Sequence, residues 1–100
     1  MRRLILTDQA EADLEAIGDH IAQDNPFRAI TFVQELRRDC RELRKMPERY
    51  PLVEQHRSSG IRRRVHGNYL IFYRVGVETV QILHILHGAM DPGTITFPDN

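Results

Sequence analysis

Ile61-Arg62-Arg63-Arg64-Val65-His66-Gly67-Asn68-Tyr69-Leu70-Ile71-Phe72-Tyr73-Arg74-Val75 is the stretch on which the fold turns. Two runs rich in β-branched and aromatic side chains flank Gly67-Asn68, a dipeptide suited to a tight hairpin turn, so residues 61–66 and 69–75 read as paired antiparallel strands. Gly76 interrupts, and residues 77–86 supply a third strand. Period two puts Tyr69, Ile71 and Tyr73 on one face and Leu70, Phe72 and Arg74 on the other. In the last strand Val80, Ile82 and His84 oppose Gln81, Leu83 and Ile85.

Upstream the period changes. After a short opening strand at Arg3-Leu4-Ile5-Leu6-Thr7, the residues Ala10, Leu14, Ile17 and Ile21 recur at helical spacing. Asp8 with Glu11 has the spacing of a capping box, and Thr7 is the other candidate cap. Glu11, Asp13, Glu15, Asp19 and His20 form the predicted solvated face. Asn25-Pro26 breaks the chain and starts a second helix, since proline suits a first helical turn. That helix carries Ala29, Val33, Leu36, Cys40 and Leu43 as an apolar stripe, widened by Phe32 and Met46, and runs to Pro47. Its predicted outward face is Gln34, Glu35, Arg37, Arg38, Asp39, Arg41, Glu42, Arg44 and Lys45. Residues 52–60 read as a polar loop.

The expected architecture is an α+β domain of order β-α-α-β-β-β, with an N-terminal strand and a helical hairpin packed on a small, largely antiparallel curved sheet. One helical pair covers one sheet face, so the second is expected to stay partly apolar and open to a partner. A chain of 100 residues has room for one core. The domain is expected over residues 1–91, with 92–100 as a C-terminal tail whose Pro92, Gly93 and Pro98 oppose a continuous helix.

Composition narrows the function. Cys40 is the only cysteine, which excludes an intrachain disulfide and a cysteine-rich zinc site, and its place on the apolar stripe predicts a buried thiol. No apolar run approaches the ~20 residues of a membrane helix, so the expected location is the cytoplasm, without membrane contact. His84 and His87 do not share a strand face and no Glu completes a helical pair, so no metal site is expected. Neither a Walker loop nor a dinucleotide fingerprint is present, and no cofactor is expected.

The formal net charge is zero, yet it is unevenly spread: residues 1–25 are net −4, 26–56 net +2, 57–75 net +5 and 76–100 net −3. Between residues 57 and 75 stand Arg57, Arg62, Arg63, Arg64 and Arg74 without one acid. A focused patch of this kind attracts anions even when the total charge cannot. Strand alternation groups Arg62 with Arg64, and Arg63 with Ile61 and Val65. The face carrying Ile61 and Val65 is expected to be covered by the helices. Arg63 then becomes a half-buried structural residue, and Arg62 and Arg64 become the exposed guanidinium groups that contact phosphate or carboxylate. His66, Tyr69, Tyr73, His84 and His87 are the available acid–base groups, although tyrosines in strands are usually packing residues with one polar end.

Taken in order, these segments resemble the ParE/RelE superfamily of toxins from type II toxin–antitoxin modules, and more closely its ParE branch. The resemblance spans residues 3–91. It is carried by Leu6-Thr7-Asp8-Gln9-Ala10-Glu11-Ala12-Asp13-Leu14-Glu15-Ala16-Ile17, by Asn25-Pro26 with Ala29 and Phe32, and by Leu43 with Pro47. Arg62 to Val65, Tyr69-Leu70-Ile71-Phe72-Tyr73-Arg74 and the closing Ile82-Leu83-His84-Ile85-Leu86-His87-Gly88-Ala89-Met90-Asp91 complete it. Met90 stands where many members have a basic residue.

The resemblance implies a toxin that inhibits DNA gyrase by direct binding and is neutralised by a ParD-like antitoxin in a heterotetramer or larger complex. Operator DNA is then reached only through the antitoxin. Contact residues for antitoxin or target are expected among Arg57, Arg62, Arg64, Tyr69, Tyr73, Arg74 and His87. The RelE branch implies instead a metal-independent, ribosome-dependent mRNA endoribonuclease, for which Arg62, Arg64, Tyr73, His84 and His87 are the catalytic candidates. A third reading is a non-toxic relic that only binds antitoxin.

Overall fold

The computed structural model describes residues 1–89 and 94–98. Strand β1 (Arg3–Leu6) leads into helix α1 (Asp8–Ala22) and helix α2 (Pro26–Glu42), and strands β2 (Ile61–His66), β3 (Tyr69–Val75) and β4 (Thr79–His87) follow. The sheet order is β1-β4-β3-β2, with β1 parallel to β4 and the other pairs antiparallel. The α+β class and the expected element order hold.

Local chemistry sets the boundaries. Thr7, not Asp8, caps α1: its hydroxyl oxygen accepts from the Ala10 N–H at 3.1 Å and donates to the Ile82 carbonyl at 2.9 Å. The same residue therefore starts the helix and fastens it to β4. Asn25 caps α2 through the Arg28 N–H at 3.0 Å, with Pro26 in the first turn. Gly67 takes φ 58° in the β2–β3 turn, a left-handed angle that glycine tolerates.

Two elements differ from expectation. Helix α2 ends at Glu42, short of Pro47, because the Leu43, Arg44 and Lys45 N–H groups each bond three residues back and Met46 turns left-handed at φ 48°. The segment expected as loop contains the 3-10 turn Glu54–Ser59, and another turn spans Pro47–Arg49.

The helices bury Ala10, Leu14, Ile17, Leu36, Cys40 and Leu43 against Ile71, Tyr73, Val80, Ile82 and Ile85. Gly18 lets them approach closely, since a Cβ there would lie 3.3 Å from Val33 Cγ2. Alternation along β3 is as expected. Along β4 it breaks: a register shift opposite Phe72 and Tyr73 places Ile85 on the helix side with Ile82, while Leu83 points the other way. The second sheet face is not left open. Val53, Ile61, Leu70, Phe72 and Leu83 form a second cluster there, closed by Ile95 and packed on by Phe97.

Tyr73 is fully buried and its hydroxyl donates to the Pro47 carbonyl, tying the bend after α2 to the sheet. Burial pushes its pKa from 10.0 up to about 12. The Cys40 thiol, buried as expected, rises from 9.0 to about 12 for the same reason. Both groups ionise first in the unfolded chain, so their stabilising effect is complete below the unfolded values and is lost as pH climbs toward the folded ones.

Urea unfolding between pH 7 and 11 should show stability falling from about pH 9 upward, by at most about 1.4 kcal/mol per pH unit for each group. Cys40→Ala should remove the part that begins near pH 9. Tyr73→Phe should cost about 1–2 kcal/mol at neutral pH by leaving the Pro47 carbonyl unpaired. A flat alkaline profile would contradict the burial of both groups.

Candidate functional site

The five arginines between residues 57 and 75 do not form one exposed patch. Alternation groups them correctly, but the covered face is the opposite of the one expected. Ile61 packs into the second cluster, Arg63 and Val65 are exposed, and Arg62, Arg64 and His66 turn toward the helix side. The cause lies on α2, which presents acids rather than apolar side chains to this edge of the sheet. Glu35, Asp39 and Glu42, one turn apart, face the β2 row Arg64 and His66.

Arg64 donates to the Asp39 carbonyl at 3.1 Å, lies 3.5 Å from the Asp39 carboxylate and 3.0 Å from Glu42, and covers the Tyr50 ring at 5.1 Å. His66 places Nδ1 at 2.6 Å from Asp39 Oδ2 and Nε2 at 3.1 Å from Glu35 Oε1. Both contacts are hydrogen bonds when both ring nitrogens carry protons. Arg28 closes the set at 2.7 Å from Glu35, which holds that carboxyl below its ordinary range, chiefly through the arginine and next through His66. Asp39, assigned to the solvated face by helical spacing, is in fact buried.

Arg62 donates to the Glu48 and Tyr50 carbonyls at 3.0 and 2.7 Å and so holds the 47–51 bend. The expectation that Arg62 and Arg64 are exposed guanidinium groups is corrected: both are partly buried, and each makes contacts that hold the fold. Arg57 is exposed and pairs with Glu54 at 2.9 Å. Arg74 donates to Gln81 at 3.2 Å.

The acid–base candidates also separate. Tyr73 is enclosed by the core, so direct contact with a partner or substrate, expected from the sequence, is overturned by its burial. His84 Nδ1 pairs with Asp13, whose Oδ2 also accepts from the Ile85 N–H at 2.8 Å. Strand β1 stops opposite Ile82, so beyond that point β4 has a strand neighbour on its β3 side alone, and the Asp13 carboxylate serves the other edge. Asp13 is thus a joint between α1 and β4, not a solvated residue. His66, Tyr69 and His87 do come together, in register across β2, β3 and β4, with Tyr69 edge-on to His87 at 5.4 Å and Phe32 near both His66 and Tyr69. His87 is exposed, and its Nδ1 accepts from the Ala89 N–H. Among the described residues no group of three or more His, Cys, Asp or Glu side chains is placed to hold a metal ion, and no helix is long and apolar enough to cross a membrane. Met90 and Asp91 lie outside the described residues.

One feature escaped the sequence reading. An open groove between α1 and α2 is lined by Leu14, Gly18, Ala22, Ala29, Ile30 and Val33 and rimmed by Glu11, Glu15, Asp19 and Arg37. Ile30 stands 59% exposed beside it, and Phe27, at the start of α2, is 83% exposed. Their signal was a pair of large apolar residues off the buried stripe.

Asp39→Ala should destabilise the chain by about 2–4 kcal/mol, because it strips Arg64 and His66 of a nearly buried carboxylate at once. Glu54→Ala, which frees only the exposed Arg57, should leave the urea midpoint almost unchanged. Equal losses in urea titrations would show that burial of the bracket is unimportant.

The family model that matches the sequence describes the "ParE toxin of type II toxin-antitoxin system, parDE", over residues 4–92. A solved structure described as "Chromosomal ParDE TA system from P. aeruginosa" superposes with a TM-score of 0.73 at 27% identity, covering 87% of this chain and 96% of that one. No curated protein matches. The match spans nearly the whole of the described fold, from β1 through β4, and the chain belongs to the ParE toxin family of type II toxin–antitoxin systems.

Proposed function

We propose that this ParE-family toxin inhibits DNA gyrase by direct protein contact and is neutralised by a ParD-like antitoxin, within a heterotetramer or larger complex, in the cytoplasm. The observation that carries the choice of contact over catalysis is the state of Tyr73, Arg62 and Arg64. The tyrosine hydroxyl is buried against the Pro47 carbonyl with its pKa raised to about 12, far from the value that suits proton transfer near neutrality. The two arginines are turned to the fold, Arg62 through Nη1 to the Glu48 and Tyr50 carbonyls and Arg64 to Asp39 and Glu42. A ribonuclease would need such groups aimed at a scissile phosphate.

The α1–α2 groove supports an antitoxin site. Its apolar floor fits the apolar face of an amphipathic segment, and its mostly acidic rim favours basic flanking residues on that segment. The exposed Tyr69–His87 end, together with Arg57 and Arg74, is the second contact region we assign to antitoxin or target. The toxin domain is taken as residues 1–91, with Ile95 and Phe97 beyond it packed on the second sheet face.

Supercoiling by gyrase should be inhibited by the purified chain while ribosome-programmed mRNA stays intact. Cleavage of mRNA with unaffected supercoiling would overturn the target. Ile30→Asp should weaken antitoxin binding by about 10- to 100-fold, as loss of an apolar anchor does, without changing the urea midpoint. Unchanged affinity would move the antitoxin site elsewhere.

A further inference from the structure

Among the described residues, five cations without a carboxylate partner gather at the C-terminal end of α2, whereas in the arginine run of β2 Arg63 alone stands exposed. A hollow of about 540 Å³ there is lined by Arg38, Arg41, Arg44, Lys45 and Arg49, together with Met1, Met46 and Glu42. Its one acid is engaged, since Glu42 lies 3.0 Å from Arg64. Among the described residues none of the five cations has a carboxylate within ion-pair distance. Arg44 donates to the Arg41 carbonyl, and Arg49 lies over the Tyr50 ring at 5.2 Å. A second hollow, sharing Met1 and Arg44, adds Arg3, with Arg2 and Glu78 beside it. Arg2 is paired with Glu48 at 3.4 Å.

Cations at a helix C-terminus offset the helix dipole, but that effect fades within the last turn. It does not account for Lys45 and Arg49. These are gathered by the left-handed residue Met46 and the Pro47–Arg49 turn, which bring the chain back beside Arg38 and Arg41. The acids of α1, Asp8, Glu11, Glu15 and Asp19, line the groove between the helices, and Glu11 among them is held by Arg37 at 2.8 Å. A chain of zero net charge thus carries a local cluster of cations that attracts a polyanion.

We propose that this hollow binds the phosphate backbone of duplex nucleic acid. Four of its five cations are arginines, whose forked donors match phosphate oxygens. An acidic protein segment would be expected to find an apolar or aromatic anchor at the centre of the site. Here the only apolar side chains are two exposed methionines at the rim. Single strands are disfavoured as well, because they bind by stacking bases on open aromatic rings, and the Tyr50 ring is taken by Arg49 and Arg64. The contact is direct, in addition to any that an antitoxin makes, and it carries no sequence preference.

The test is fluorescence anisotropy of a labelled duplex of about 20 base pairs with the full-length chain between about 50 and 200 mM KCl. Four to five phosphates neutralised give a slope of log K against log salt of about −3.6 to −4.5. The double variant Arg41→Ala/Lys45→Ala should lower the slope by about 2. Arg63→Ala, exposed on the far face of β2, should leave it unchanged. Circular dichroism checks the fold, and Arg38→Gln/Arg49→Gln replaces the first pair if that pair is misfolded. Absence of duplex binding at 50 mM salt, a slope indifferent to both pairs, or binding of a poly-glutamate peptide in place of duplex overturns the proposal. Duplex binding by a chain that leaves gyrase unaffected would keep this site and sink the target assignment instead.

Discussion

Asp39 carries a charge nearly withdrawn from water, and the need to match that charge decides how α2 lies on the sheet. Arg64 and His66 meet it from β2, and Glu35 and Glu42, one turn before and after, complete the bracket. Apolar packing alone would allow α2 to slide along its stripe. Directional contacts to two side chains two residues apart on a strand permit one register. Asp13 does the corresponding work for α1, bonding to His84 and to the Ile85 N–H on the edge of β4 that β1 no longer covers. Carboxylates therefore tie both helices to the sheet, Asp13 from α1 and Glu35, Asp39 and Glu42 from α2.

This arrangement changes what the charge distribution means. The arginine-rich run of the second half is the densest positive stretch of the sequence, yet Arg62 and Arg64 serve the core's periphery and Arg57 is matched by Glu54. Cations interleaved with acids along α2 look neutral in a linear count. Once Glu35, Asp39 and Glu42 turn to the sheet, Arg38 and Arg41 remain outward and join Arg44, Lys45 and Arg49. The surface of this ParE-family chain then carries an apolar, acid-rimmed groove along the helical hairpin and a basic hollow at the end of α2. Fold class alone does not decide how such surfaces are used.

Much of the architecture was legible before any coordinates. Helical spacing located Ala10, Leu14 and Ile17, and Leu36, Cys40 and Leu43, as core residues, and period two assigned Ile71 and Tyr73 to one face of β3 and Leu70 and Phe72 to the other. Asn25-Pro26 and Gly67-Asn68 marked boundaries through their local backbone chemistry. The candidate site was far less legible. Alternation says which side chains share a face but not which face is covered, so Arg62 and Arg64 were assigned outward when they turn inward. Likewise the spacing that placed Asp13 and Asp39 off the apolar stripe contained nothing about their partners, which stand 71 and 27 residues away.

What the sequence determined by itself was therefore the order of elements, their caps and turns, and the periodic division of each into two sides, because these depend on residues within a few positions of one another. Only the tertiary structure decided which side met which neighbour. The shift along β4 that carried Ile85 to the helices, the closure of the second sheet face by Ile95 and Phe97, and the capture of three β2 side chains by α2 and the bend after it all depend on distant groups competing for the same buried space. That competition is settled by desolvation and geometry across the whole fold, and it drew Arg62 and Arg64 of the arginine run into the fold while cations without carboxylate partners among the described residues gathered at the end of α2.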